Sequence, residues 1–365
     1  MSTSSTSSNI SRRTLLKTSA GAATLAAAGT LGAPLIAQER SLKIGSYGGY
    51  FENSLKEHVY PKFTEATGIA VESVTQPNSS DWLVTMQQAA SAGNVPADLS
   101  LFARDTMIKA SRVGDLLKPL DTKAIPNLKY LDDYYAFTDT SGTLGVGAMS
   151  WFSAMVINPD EVQTPTSWAD FWDTETFESS LGISKLYNSH FMDIIAATFF
   201  DGAATFETKD GVEAIIAKAA ELKPNVALWW SAESQMEQSM KNLDVVGGMY
   251  YLDVANLMAA DGFPIKAVFP KEGNPQDYGS WCLSDLSEKT GEAAEFINFS
   301  CEPSTQKLMS LMIGTAPLVS QEAAGLTDEE FAAVSGSPVI RPAYSAYLDQ
   351  ETFLKESWDK MLAGA

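Results

Sequence analysis

The stretch that decides the fold runs Ser41-Leu42-Lys43-Ile44-Gly45-Ser46-Tyr47-Gly48-Gly49-Tyr50. Its first five residues predict a strand, and the glycines that follow predict a tight turn. Residues 51–67 have the apolar spacing of a helix, Gly68 ends that helix, and Ile69-Ala70-Val71 predicts a second strand. The order strand, helix, strand is the unit from which parallel α/β sheets are built.

The same alternation continues along the chain. Helices are predicted at 81–91, from near 105, and near 192–200, 209–222, 233–242, 289–300 and 303–312. Strands are predicted at 98–102, 152–157, 181–184, 244–249, 265–269 and 279–284. Because no low-complexity linker separates these elements, two α/β domains would be joined by strands that cross between them.

Size and charge narrow the class of protein. The 365 residues suffice for about two domains, and 45% hydrophobic residues can supply their cores. The net charge of −20 argues against a partner that is nucleic acid or an anionic membrane. Two cysteines, Cys282 and Cys301, and two histidines far apart in sequence exclude a Cys/His zinc site by count.

The N-terminus carries a targeting signal. The segment Ser11-Arg12-Arg13-Thr14-Leu15-Leu16-Lys17 precedes an uncharged apolar run that extends from Ala20 to Ala37. This pattern predicts a twin-arginine signal peptide over residues 1–37, export by the twin-arginine machinery and a location in the periplasm. A membrane anchor is the weaker alternative, because the run is short and rich in Gly and Ala. A disulfide between Cys282 and Cys301 could form only after export, and the sequence leaves that pairing open.

Motifs of enzymes are missing from the sequence. It contains no Walker loop, no dinucleotide fingerprint, no nucleophile elbow and no His-Glu-x-x-His. We therefore predict no catalytic residue, no metal and no cofactor. The glycine-rich turn after the first strand could meet an anionic ligand group or could only form a turn.

Aromatic residues indicate a binding pocket. Nine of them lie at strand ends or beside glycines, where they could line a pocket or equally belong to the core: Tyr47, Tyr50, Trp151, Trp229, Trp230, Tyr250, Tyr251, Tyr278 and Trp281. Aromatic rings and a carboxylate together hold an organic cation, and Asp253 is the candidate carboxylate.

Five stretches, in this order, resemble the spermidine/putrescine-binding branch of the periplasmic solute-binding proteins that serve ATP-driven importers. They are Phe63-Thr64-Glu65-Ala66-Thr67-Gly68-Ile69-Ala70-Val71, Thr166-Ser167-Trp168-Ala169-Asp170-Phe171-Trp172, Pro224-Asn225-Val226-Ala227, Phe269-Pro270-Lys271-Glu272-Gly273 and Ile313-Gly314-Thr315-Ala316-Pro317. The resemblance spans the chain after the signal.

This resemblance implies an α/β fold of type II-like periplasmic binding proteins. Each of two lobes would be a mostly parallel sheet flanked by helices, with the solute in the cleft between them. Lobe 1 would comprise 41–150 and about 275–319, and lobe 2 would comprise 151–274 and about 320–365. The implied partners are a small-molecule solute and the permease of an ABC transporter in the inner membrane, with no nucleic acid and the protein a monomer.

The ligand-binding positions of that family carry over only in part. The aromatic positions fall on Tyr47, Tyr50 and Tyr251. The acidic cluster after a second-lobe strand is replaced by Leu186-Tyr187-Asn188-Ser189-His190, and Trp-x-Asp on a late strand becomes Tyr278-Gly279-Ser280. Tyr278 and Ser280 are therefore predicted to contact the ligand, with Asp253 as the substitute acid.

Arg104 departs from the polyamine binders most clearly. It follows the strand at 98–102, and strand carboxyl ends face the ligand crevice in open α/β sheets. A guanidinium there would repel a polycation and would bind a carboxylate. We therefore expect a small amine-containing or zwitterionic solute, while Arg104 could instead pair with Asp105 or with a surface acid. The alternatives are a true polyamine binder and, in another class, a periplasmic enzyme on the same two-lobe frame.

Overall fold

Twelve strands form one mixed sheet in the computed structural model, which describes residues 40–77 and 79–364. The strands are β1 Ser41–Tyr47, β2 Ala70–Gln76, β3 Leu99–Ala103, β4 Leu117–Lys118, β5 Ala136–Asp139, β6 Gly142–Ile157, β7 Leu181–Ser184, β8 Val226–Trp230, β9 Gly247–Tyr251, β10 Lys266–Val268, β11 Asn274–Ser284 and β12 Val339–Ile340. The predicted signal peptide lies outside the described residues.

Helices cover the sheet. They are α1 Tyr50–Ser54, α2 Tyr60–Thr67, α3 Ser79–Ser91, α4 Arg104–Val113, α5 Thr174–Phe177, α6 Phe191–Phe199, α7 Lys209–Glu221, α8 Glu233–Lys241, α9 Leu252–Ala260, α10 Thr290–Ser300, α11 Pro303–Ile313, α12 Gln321–Ala324, α13 Asp328–Ala332, α14 Tyr344–Asp349 and α15 Glu351–Ala363. A π-helical segment joins α1 to α2, so the first predicted helix is continuous. None of the described helices is long and apolar enough to cross a membrane.

The main path of the sheet runs β2-β1-β3-β11-β6-β9-β7-β8. At one end β1 is parallel to β2 and β3, and at the other β7 is parallel to β8 and β9. Between them β6 and β11 are antiparallel to each other and to their neighbours on this path. The long strand β6 pairs with β11 through its middle and with β9 through its last residues. These two strands therefore link the two parallel ends of the sheet.

Separate hydrophobic clusters pack on the two ends. One includes Ile44, Phe63 and Trp281, and another includes Ile183 and Trp358. The two-turn helix α14 contacts both sides: Tyr344 belongs to a cluster with residues of α3 and α4, and Tyr347 belongs to the cluster of Ile183. The C-terminal segment is thus fixed across the junction of the two ends.

The predicted β-α-β opening and most predicted elements are confirmed. Among the elements that were not predicted are β8, α9, α14 and α15. The strand predicted at 152–157 is longer, because β6 begins at Gly142. Cys282 and Cys301 are both buried and unpaired in the structure, in different hydrophobic clusters.

Candidate functional site

Two cavities share a wall formed by Trp151 and Tyr251. We call the first, of about 290 Å³, the histidine cavity; its lining includes Asp105, Trp151, Tyr187, Asn188, Ser189, His190, Tyr251, Asp277, Tyr344 and Glu351. We call the second, of about 530 Å³, the aromatic cavity; its lining includes Tyr47, Phe51, Trp151, Glu233, Tyr251, Asp253 and Thr315.

The sheet positions the shared wall. On β6 and β11, Trp151 pairs with Asp277, and on β6 and β9, Ser153 pairs with Tyr251. Directly paired residues lie on the same face of a sheet, and residues two apart on one strand share that face. The four side chains therefore reach one cavity, and all four line the histidine cavity.

His190 lies between two carboxylates. Its Nδ1 is 3.3 Å from Asp193 Oδ2, and its Nε2 is 3.4 Å from Asp277 Oδ2. Burial alone would lower the pKa of His190. The hydrogen bonds that His190 makes with Asp193 and Asp277, together with the negative charges of these acids, outweigh burial and raise that pKa to about 10. The imidazole is therefore a cation at neutral pH, inside the lining of the cavity.

The remaining acceptors of these two carboxylates are also occupied. Asp193 accepts from the Tyr347 hydroxyl at 2.8 Å and from the Ala343 backbone N–H at 3.0 Å. Asp277 Oδ1 accepts from the Tyr344 hydroxyl and from the Tyr278 backbone N–H. Each of the four carboxylate oxygens of these two acids therefore has at least one partner within the protein.

Glu351 and Asp105 complete the acids of the histidine cavity. Glu351 Oε1 accepts from the Tyr187 hydroxyl at 2.5 Å and from Lys109 Nζ at 2.7 Å. Asp105 accepts from the Thr106 backbone N–H at 2.6 Å. Burial raises the pKa of Asp105, and the charge of Asp277 adds to that rise. Each acid of this cavity therefore has a donor within the protein.

The acids of the aromatic cavity differ from Asp277 and Glu351 in their partners. No cationic side chain of the described part of the chain pairs with Glu233 or Asp253. Burial raises the pKa of Glu233, and the charge of Asp253 raises it further. Burial likewise raises the pKa of Asp253. Carboxylates of this kind gain most from a cation that enters beside them.

Aromatic rings surround those acids. Tyr47 and Phe51 lie with ring centroids 6.0 Å apart, and Trp151 and Tyr251 face the same cavity. Tyr47 comes from the end of β1, and Tyr251 from the end of β9, directly before α9 begins. Rings from both ends of the sheet and carboxylates from one end thus line one space.

The predicted site residues divide into two groups. Tyr47, Tyr251 and Asp253 line the aromatic cavity, and Tyr251 also lines the other. Tyr50 begins α1, but its side chain lies outside those that the structure describes.

Arg104, Tyr278 and Ser280 lie outside the lining of both cavities. The Arg104 guanidinium packs over the rings of Phe137 at 4.5 Å and Tyr278 at 5.4 Å. Tyr278 and Ser280 are fully buried. Contact of these three residues with a solute stays a prediction.

Sequence reasoning missed most acids of the site. Asp277 is the neighbour of the predicted Tyr278, but successive strand residues point to opposite faces, and the sequence did not show which face lies on the cavity. Glu233 could have been noticed as the acid that opens the helix after Trp229-Trp230. His190 was noted only as part of a segment that replaces the family's acids. Tyr344 and Glu351 carried no local signal.

Comparison with known proteins gives concordant matches. The family described as bacterial extracellular solute-binding protein matches residues 59–334. The chain is 25% identical over 289 residues to the gamma-aminobutyric acid-binding protein of Pseudomonas aeruginosa, covering 77% of this chain and 78% of that one. It is 26% identical over 327 residues to the spermidine/putrescine-binding periplasmic protein of Salmonella typhimurium, covering 87% of each.

A solved structure shows the same fold. The ABC transporter substrate-binding protein of Bradyrhizobium japonicum superposes with a TM-score of 0.74 at 18% identity, covering 88% of this chain and 99% of that chain. The match confirms the predicted two-lobe α/β fold.

Proposed function

We infer that this chain, which belongs to the family of bacterial extracellular solute-binding proteins, binds a small solute that carries an ammonium group and delivers it to the permease of an ABC transporter. The ammonium group binds in the aromatic cavity. The rest of the solute extends past Trp151 and Tyr251 towards the histidine cavity, because these two side chains line both.

One observation carries this proposal: two carboxylates, Glu233 and Asp253, line a cavity with aromatic rings, remain open to solvent and pair with no cation among the described residues. An ammonium group beside Glu233 and Asp253 would relieve the repulsion between them. The faces of Tyr47, Trp151 and Tyr251 would add cation–π attraction of about 0.5–2 kcal/mol for a well-placed contact. No other charge in that lining competes for the acids.

The names of the relatives agree with an amine. Gamma-aminobutyric acid carries one ammonium and one carboxylate, and spermidine and putrescine carry ammonium groups only. The class shared by both relatives is a small aliphatic amine, so we propose that class for this chain. Within it, the amine-containing or zwitterionic solute is preferred and a true polyamine is the second candidate.

The proposal also includes the lobe boundaries, the export route and the oligomeric state predicted from the sequence. Lobe 1 comprises 41–150 and about 275–319, and lobe 2 the remainder, with β6 and β11 as crossings between them. Residues 1–37 direct export through the twin-arginine machinery to the periplasm, where the protein acts as a monomer. Because a binding protein returns its solute unchanged, recovery of chemically altered amines after incubation would favour the alternative of a periplasmic enzyme.

A thermal-unfolding screen tests the amine class. The protein without residues 1–37 is mixed with gamma-aminobutyrate, n-butylamine, putrescine and spermidine, and with butyrate as the control that lacks an ammonium group. A ligand at a hundredfold excess over its Kd stabilises the folded protein by about 2.7 kcal/mol, so binding would clearly raise the unfolding temperature. We expect one or more amines to stabilise the protein and butyrate to have no effect. The proposal would be overturned if butyrate alone stabilised the protein, or if no amine did.

A further inference from the structure

The proposed function assigns no role to the positive charge of His190. Both ring nitrogens of His190 face carboxylates, Asp193 and Asp277, and these belong to different parts of the fold, α6 and β11. A cation held this way belongs to the protein and lies in the lining of the cavity that would receive the far end of the solute.

The position of this cation matters for a solute with two ammonium groups. Such a solute would need free carboxylates at both ends. At the aromatic cavity Glu233 and Asp253 meet that need. At the other end Asp277 is engaged by His190 and by the Tyr344 hydroxyl, and Glu351 is engaged by Lys109. Asp105 is the one acid of that lining without a cationic partner among the described residues, and it accepts from Thr106. A second ammonium would have to compete with His190, and two cations at close range repel each other.

We propose that His190 is a specificity-determining residue: it supplies a built-in cation in place of a second ammonium group, so that the protein selects solutes with a single ammonium over diamines. This inference rests on the proposed function, since it assumes that an amine occupies the aromatic cavity. It concerns only the far end of the solute.

Polar groups beside His190 can donate hydrogen bonds to an end that is not cationic. Ser189 lines the histidine cavity, and its Oγ is buried with no hydrogen-bond partner among the described residues. Asn188 also belongs to the lining. The hydroxyl and the amide can both donate hydrogen bonds, so a carboxylate or hydroxyl at the far end of a solute has donors there.

The backbone at His190 guides the choice of variant. Its φ is 69°, in the left-handed region where Asn is tolerated better than most residues. His190→Asn therefore removes the cation while keeping the turn into α6. His58→Asn is the matched control, because His58 is the other histidine of the chain and lines neither cavity.

Three ligands that share a four-carbon scale isolate the effect of the far end. Gamma-aminobutyrate, n-butylamine and putrescine all present one ammonium and differ in carrying a carboxylate, a methyl group or a second ammonium. By calorimetric titration, we expect wild type to bind one or both monoamines more tightly than putrescine. In His190→Asn the affinity for putrescine relative to n-butylamine should rise by about tenfold or more, because Asp277 loses its cation. His58→Asn should leave the ratio unchanged.

A double variant identifies the charge responsible. His190→Asn with Asp277→Asn should lose the gain in putrescine affinity, because the freed carboxylate is gone. Wild type that prefers putrescine, or a ratio that does not change in His190→Asn, would overturn this inference while leaving the amine class intact. Absence of binding by every amine would overturn the proposed function and this inference with it.

A measurement on wild type guards against a variant that fails to fold. The chain has two histidines, so their ring signals in an NMR titration are easily assigned with His58→Asn. We expect the His190 ring to stay protonated from pH 6 to pH 8.5. Deprotonation of His190 near the ordinary histidine value, about 6.5, would overturn the inference without any ligand.

Discussion

The two cavities share a wall but differ in how many of their carboxylates pair with a cation of the described residues: Asp277 and Glu351 but not Asp105 in the histidine cavity, and neither acid in the aromatic cavity. In the histidine cavity, Asp277 and Glu351 accept from His190, Tyr344, Tyr187 and Lys109. In the aromatic cavity, Glu233 and Asp253 have no cation among the described side chains, and burial raises the pKa of both. Acidic residues alone therefore do not mark the place of a cationic ligand; the acids that the protein leaves unpaired do.

The largest effect should come from removing Asp193, a carboxylate that holds His190 from outside the lining of the histidine cavity. Asp193 is almost fully buried and holds His190, Tyr347 and the Ala343 backbone N–H. Asp193→Ala would leave a buried cation with half of its partners, which typically costs about 3–5 kcal/mol. Urea unfolding measures this loss. Asp359→Ala, an exposed acid on α15, serves as the control and should change stability by less than about 0.5 kcal/mol.

The next effect concerns binding at the aromatic cavity. Glu233→Gln combined with Asp253→Asn removes both charges while keeping shape, so amine affinity should fall by about 2–4 kcal/mol. Stability should be unchanged or higher, because the repulsion between the two acids disappears. Calorimetry with the best amine and urea unfolding measure the two quantities. Undiminished affinity in this variant would place the ammonium group elsewhere.

Tyr47→Ala and Tyr251→Ala test the rings on the two sides of the aromatic cavity. Each should weaken amine binding by about 1–3 kcal/mol through lost apolar burial and lost cation–π attraction. Tyr130→Ala, at an exposed tyrosine, is the control. If both cavity variants bind the amine as tightly as wild type, the proposed cleft is in the wrong place.

Arg104 decides where a carboxylate end binds. Its Nη1 is buried without a hydrogen-bond partner among the described residues, behind the rings of Phe137 and Tyr278. If the carboxylate of a zwitterion reaches Arg104, Arg104→Met should weaken the binding of gamma-aminobutyrate by about 2 kcal/mol and leave the binding of n-butylamine unchanged. Equal affinities of wild type and variant for both ligands would contradict a role for Arg104 and leave Ser189 as the donor.

The pH dependence of stability should report the ion pairs of His190 with Asp193 and Asp277. The folded-state pKa of His190, about 10, lies above its unfolded value, so protonation favours the folded state. This contribution is complete below about pH 6.5 and is lost as pH rises towards 10, at about 1 kcal/mol per pH unit. Urea unfolding at pH 6.5, 7.5 and 8.5 measures the slope, and His190→Asn should flatten it. An equal slope in wild type and variant would contradict the ion-paired imidazolium.

Local sequence patterns sufficed for much of the fold. The spacing of residues 41–71 predicted β1, the first helical segment and β2, because alternation and helical periodicity reflect burial within a single element. The unpredicted β8 begins within Pro224-Asn225-Val226-Ala227, one of the stretches that carry the resemblance to the family. Helices α14 and α15 were not predicted either. Their buried residues Tyr347, Leu354 and Trp358 pack in a cluster built from segments distant in sequence, which local patterns do not reveal.

By itself, the sequence determined the family, the acidic character, the absence of motifs for known catalysis and three residues of the aromatic cavity, Tyr47, Tyr251 and Asp253. These follow from residue types and short spacings. Only the tertiary structure decided that Asp277 rather than Tyr278 lines the histidine cavity, because adjacent strand residues point to opposite faces. Only the tertiary structure, likewise, placed His190 between Asp193 and Asp277, since an ion pair between distant segments depends on how α6 packs against β11.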